Sequence, residues 1–104
     1  MTNMGEREVY YKVTDGYVHR KVAGNDVLIS VGKNVANFNG YISLNSTASF
    51  LWDSMSTPRT ERQLIQALVE KFEVTEQTAC MDLQEFLSLL KENSMIRESE
   101  YENS

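Results

Sequence analysis

From Gly16 to Asn45 the apolar residues fall mainly two apart, and from Ala48 onward they fall three and four apart. In "GYVHRKVAGNDVLISVG", Val18 and Val22 share one face of a strand with Arg20, and Val27, Ile29 and Val31 share one face of the next. Gly24-Asn25-Asp26 between them tolerates positive φ, as a tight hairpin loop requires. "KNVANFNG" is punctuated by Asn and Gly and reads as a loop. "YISLN" follows as a short third strand, with Ile42 and Leu44 on one face.

The period then changes to that of a helix. Ala48, Leu51, Trp52 and Met55 stand at i, i+3, i+4 and i+7, which predicts a helix over about 46–56 capped by Asn45, Ser46 or Thr47. Pro58 disfavours helical geometry at Thr57 and ends it. "TERQ" at Thr60 matches a capping box and opens a second helix with Leu64, Ile65, Leu68 and Phe72 inward. A third helix is expected over roughly 76–92 from a Thr75 cap, with Ala79, Leu83, Phe86, Leu87 and Leu90 at helical spacing. Met95-Ile96 is a brief apolar remnant before an acidic end that should fray. Three strands followed by three helices predict an α+β fold, one antiparallel sheet packed on a helical cluster. The last two helices have the proportions of a helix-turn-helix.

Composition narrows the function classes. The 104 residues suffice for one domain, and 41% hydrophobic with 24% charged content is that of a folded chain. No apolar run approaches the ~18 residues of a membrane span. "MTNMGEREVYY" carries no export signal pattern. The single cysteine, Cys80, fits a reducing cytoplasm. Residues 1–73 hold eight acids and eight bases, so the net charge of −5 resides in residues 74–104, with seven acids against Lys91 and Arg97.

That asymmetry bears on DNA binding, the alternative function for this order of elements. A recognition helix needs Lys and Arg for phosphate contacts. The third helix offers Glu76, Asp82, Glu85 and Glu92 against Lys91, so nucleic acid is not the expected partner. Catalysis has no better support. His19, the only histidine, lies beside Arg20 and Lys21 and should face solvent. Cys80 has no sequence neighbour to activate it, and one Cys with one His cannot supply an ordinary zinc site. No phosphate loop or nucleophile elbow is present. No catalytic residue, cofactor or metal is expected.

The edge of the sheet is more informative. "YISLN" contains neither Pro nor charge, so an exposed edge there lacks the usual protection against pairing; alternatively, its shortness alone makes it safe. On a helical wheel of the third helix, Leu89 and Asp82 lie off one side of the core stripe, with Glu85 beyond. Leu89, with Phe86 and Asp82, could then line a groove facing Ile42 or Tyr41; alternatively, Leu89 only widens the core stripe. Trp52, at helical spacing with its apolar neighbours, reads as core. Asn45 can cap the first helix and fix the strand-to-helix corner.

Three segments together carry a resemblance: "GYVHRKVAGNDVLISVG", "YISLNSTASFLWDSM" and "TERQLIQALVEKFEVTEQTACMDLQEFLSLLKENSMI". They resemble the PqqD-like family, named for pyrroloquinoline quinone biosynthesis protein D and also called the RiPP recognition element. The specific pieces are Leu44-Asn45 followed by Leu51-Trp52, then Leu64, Leu68, Phe72 and Val74 before a long third helix. Ala48 and Ser49 stand where the family often has Gly, and both are compatible with a helix. The resemblance implies a winged helix-turn-helix-like domain over 16–97, after an N-terminal segment 1–15 of partial order and before an acidic flexible tail 98–104. It implies a peptide-binding adaptor rather than an enzyme. The leader segment of a ribosomally made precursor would add a strand beside Tyr41, Ile42, Ser43 and Leu44, with Asp82, Phe86 and Leu89 on the facing wall. The partners so implied are that leader and a modifying enzyme such as a radical S-adenosylmethionine maturase, with no nucleic acid and no membrane. The protein itself would be a monomer or an edge-paired homodimer.

Overall fold

The computed structural model describes residues 8–31 and 41–100. The loop expected within 33–40, most of the N-terminal segment and the end of the acidic tail lie outside the described residues. In chain order the elements are β1 (Tyr10–Val13), β2 (Tyr17–Val22), β3 (Asn25–Ser30), β4 (Tyr41–Leu44), α1 (Ser46–Ser54), β5 (Arg59–Thr60), α2 (Glu61–Phe72), α3 (Glu76–Glu92) and β6 (Ile96–Ser99).

The three strands expected from alternation are β2, β3 and β4, which form one antiparallel sheet in that order. Val22 pairs with Asn25, so the hairpin loop is Ala23-Gly24 rather than Gly24-Asn25-Asp26. Both loop residues have positive φ, 53° at Ala23 and 84° at Gly24. Two left-handed residues match the right-handed twist of the flanking strands, which is why so short a loop closes the hairpin. Moving the turn one residue towards the N-terminus leaves Asp26 inside β3, across from Lys21.

The packed face of this sheet carries Tyr17, His19, Leu28, Ile42 and Leu44, set side by side by the register His19↔Leu28↔Ile42 and Asp26↔Leu44. Leu28 is fully buried there. Val31, expected to extend β3 on the face of Val27 and Ile29, lies outside the strand and is exposed. Alternation alone could not choose the inner face, because β3 is apolar on both.

His19 corrects the expectation of a solvent-facing side chain. Its Nε2 lies 2.9 Å from Asp26 Oδ1 on the neighbouring strand, and its Nδ1 lies 3.0 Å from Asp53 Oδ1 on α1. Only an imidazolium can donate from both nitrogens. The hydrogen bond to Asp53 is the main influence raising the His19 pKa, partial burial opposes it, and Asp26 adds to the rise. The bond to His19 in turn holds the Asp26 carboxyl below its ordinary range. His19 thereby ties the sheet to α1.

A second small sheet, ordered β5-β1-β6, closes the other end of the domain. β1 pairs with β6 from Tyr10↔Ser99 to Val13↔Ile96, so Glu98 and Ser99 of the acidic end are held in a strand. Beyond it, the Val13 N–H donates to Met55 O at 3.0 Å and the Thr14 N–H to Met95 O at 2.9 Å. These bonds pin the C-terminal ends of α1 and α3. Lys91 is drawn into the same region, with its Nζ 5.5 Å from the Tyr11 ring centroid and 3.5 Å from Glu98 Oε2.

The helices begin where their caps predict. Thr60 and Gln63 make both bonds of a capping box, at 3.1 Å and 3.0 Å, and Thr75 caps α3 through the Thr78 amide. The core between sheet and helices contains Leu28, Leu44, Leu51, Trp52, Met55, Leu64, Leu68, Leu83, Phe86, Leu87 and Leu90, with Tyr11 and Met95 from the second sheet's side. Trp52 is among them, edge-on to Tyr17 at 6.3 Å.

Candidate functional site

The corner between β4 and α1 shapes the site. Asn45 is the N-cap of α1: its backbone is extended (φ −80°, ψ 180°) and its Oδ1 accepts the Ala48 N–H at 2.8 Å. One residue therefore ends the strand and satisfies an otherwise orphaned amide of the helix. The chain turns sharply off the sheet, and β4 is left as its edge. β4 pairs with β3 on one side, and among the described residues nothing pairs with it on the other. In an antiparallel pair alternate residues direct both backbone groups to the neighbour, so two of the four residues of β4 point theirs outward.

Beside the C-terminal end of that edge lies a groove of about 240 Å³. Its lining comes from β4 (Ser43, Leu44), the corner (Asn45), α1 (Thr47, Ala48, Leu51) and α3 (Asp82, Glu85, Phe86, Leu89). Leu44, Leu51 and Phe86 are buried and form an apolar floor, Ala48 and Leu89 are half-buried on the walls, and the polar residues rim it. Leu89 does both things the wheel allowed: it packs against the core and presents its remaining surface to the groove.

The groove brings together five of the seven residues singled out in the sequence: Ser43, Leu44, Asp82, Phe86 and Leu89. Tyr41 and Ile42 do not line it. Ile42 is half-buried against the core, and Tyr41 is 64% exposed on the opposite face of the sheet. The reason is geometric: α3 meets β4 at the end where the strand turns into α1, so the facing residues are Ser43 and Leu44. Tyr41 and Ile42 still belong to the open edge through their backbone.

Asn45, Thr47, Ala48 and Leu51 on the α1 side also line the groove, as does Glu85, and none of these is among the residues the sequence assigns to the site. Their signal was present in the N-cap, which fixes how the first turn of α1 overhangs the strand end. Asp82 is half-buried and Glu85 exposed, and neither has a hydrogen-bond or ion-pair partner among the described residues. No group of three His, Cys, Asp or Glu side chains among the described residues could hold a metal ion. No helix among them is long and apolar enough to cross a membrane.

The fold is shared with a solved structure titled "TbiB1 in Complex with the TbiA(beta) Leader Peptide". The likeness has a TM-score of 0.63 at 19% sequence identity, over 83% of this chain and 94% of that one. At this identity the likeness is one of fold. No curated protein sequence matches the chain. The family model described as coenzyme PQQ synthesis protein D (PqqD) matches residues 18–96, which run from β2 through α3 to the start of β6 and include every residue lining the groove. The chain belongs to the PqqD family.

Proposed function

We propose that this protein captures the leader segment of a ribosomally synthesised precursor peptide by strand addition along the outer edge of β4. Tyr41, Ile42, Ser43 and Leu44 offer the backbone of that edge. Leader side chains on one face enter the groove against Leu51, Phe86 and Leu89, with Asp82 at its rim. The captured peptide is then presented to a modifying enzyme such as a radical S-adenosylmethionine maturase. The protein is an adaptor in this reading, not the catalyst, and the single cysteine suits work in the cytoplasm.

The observation that carries the reading is a strand edge that no described residue pairs with, lying directly against an apolar-floored groove. Strand addition needs both, since backbone bonds supply affinity and alternate side-chain pockets supply register. Each buried apolar leader side chain contributes about 1.5–3 kcal/mol, and each strand hydrogen bond about 1 kcal/mol. Family membership supports the same role, as does the leader peptide in the TbiB1 complex. The edge is equally available to a second copy of the chain, so leader binding should convert any edge-paired homodimer to monomer. A winged-helix DNA-binding role is disfavoured by the uncompensated Asp82 and Glu85 on α3.

Leu89→Asp tests the reading: it puts a charge on the groove wall at a residue that also packs against the core, so the fold is checked before affinity is measured. The variant should keep wild-type circular dichroism and bind a synthetic leader at least about tenfold more weakly, a loss of about 1.4 kcal/mol. A folded variant with undiminished leader affinity would remove the groove from the binding site.

A further inference from the structure

The acids of the groove wall say something about the peptide that fits it. Resting on the leader-capture reading above, we infer that the groove's peptide carries a lysine or arginine two residues from its apolar anchor, placed against Asp82 and Glu85.

Three observations carry this. First, Asp82 and Glu85 are both part of the groove lining, and among the described residues no Lys, Arg or His shares that lining with them. Second, the basic residue of the same helix, Lys91, is committed elsewhere: its ammonium lies 3.5 Å from Glu98 and over the Tyr11 ring. The two carboxylates therefore have no neutralising partner among the described residues, and an occupant that covers them strips water from unpaired charge unless it supplies a cation. An acidic side chain at that position would add like-charge repulsion. The groove thus discriminates as well as attracts.

Third, the spacing is that of a strand. Along α3 the Asp82/Glu85 pair stands four residues from the Phe86/Leu89 pair, an axial rise of about 6 Å. Side chains on one face of a strand repeat every about 6.8 Å. Where the peptide strand passes the end of β4 and continues along α3, the side chain next to the anchor on the same face arrives at the carboxylates. The apolar residue and the base are therefore two positions apart, both facing α3.

A display library of randomised linear peptides, selected in parallel on three purified proteins, tests this. The proteins are wild type, the double variant Asp82→Lys/Glu85→Lys, and Leu89→Asp, each first checked for wild-type circular dichroism. Wild type should enrich peptides with a Lys or Arg two positions from a large apolar residue. Synthesised representatives should bind at least tenfold more tightly than versions with Glu at that position, with the preference fading as salt is raised. The double variant should keep the apolar anchor and select Asp or Glu in place of the base. If wild-type peptides lose binding on Leu89→Asp but show no preference for a base, or one that persists unchanged in the double variant, the charge inference fails and leader capture stands. If no enriched peptide is sensitive to Leu89→Asp, leader capture fails and the inference falls with it.

Discussion

The side-chain oxygen of Asn45 accepts the Ala48 amide at 2.8 Å, and both residues line the groove. The bond that starts α1 is thus also the bond that sets the angle at which α1 leaves the sheet edge. Asn45→Ala should lower stability by about 1 kcal/mol, the usual worth of an N-cap, while Asn45→Asp should keep most of it. Urea denaturation of the two variants checks this. Equal losses in both would mean that the cap bond does not hold the corner.

Ala23 adopts a left-handed conformation, with φ of 53°, in the two-residue loop between β2 and β3. An alanine there is strained, whereas asparagine tolerates the conformation and Asn-Gly is favoured in such turns. Ala23→Asn should stabilise the protein by about 0.5–1 kcal/mol without affecting peptide binding. A higher denaturant midpoint at unchanged slope is the expected result.

His19, held between Asp26 and Asp53, makes stability depend on pH. Its folded pKa is raised above the ordinary 6.5, chiefly by the hydrogen bond to Asp53. The His19 contribution is therefore fully present below 6.5 and is lost as pH rises through the higher folded value. Asp26 runs the other way: its lowered pKa gives a contribution present above the ordinary 3.8 and lost as pH falls through the folded value. The contact is strongest between these limits. The stability difference between wild type and His19→Gln, measured by denaturation, should shrink as pH is raised above the ordinary 6.5. A difference that is flat or growing over that rise would contradict the charged bridge.

The sequence makes the helices legible because their caps are local. The capping box at Thr60 and the Thr75 cap form between residues three apart, and spacing alone locates them. The groove wall is legible for a similar reason: a helical wheel identifies Leu89 and Asp82 as off the core stripe, and the resemblance supplies the strand they face. What escapes is set by long-range pairing. β1 and β6 are four-residue strands 83 or more positions apart in their pairing, and neither shows enough alternation to announce itself. The role of His19 depends on Asp53, 34 residues away, and on a turn shifted by one residue that places Asp26 in β3. The α1 side of the groove escaped because Thr47, Ala48 and Leu51 look like ordinary first-turn and core residues. Only the angle of the corner brings them over the end of β4.

The most direct measurement of the central proposal is a backbone amide NMR titration of the protein with a synthetic leader, read together with hydrogen exchange. Strand addition predicts that Tyr41–Asn45 and Asp82–Leu89 shift together, and that the outward amides of β4 exchange more slowly once the leader is bound. Shifts confined to the β5-β1-β6 sheet or to α2, with exchange along β4 unchanged, would contradict it.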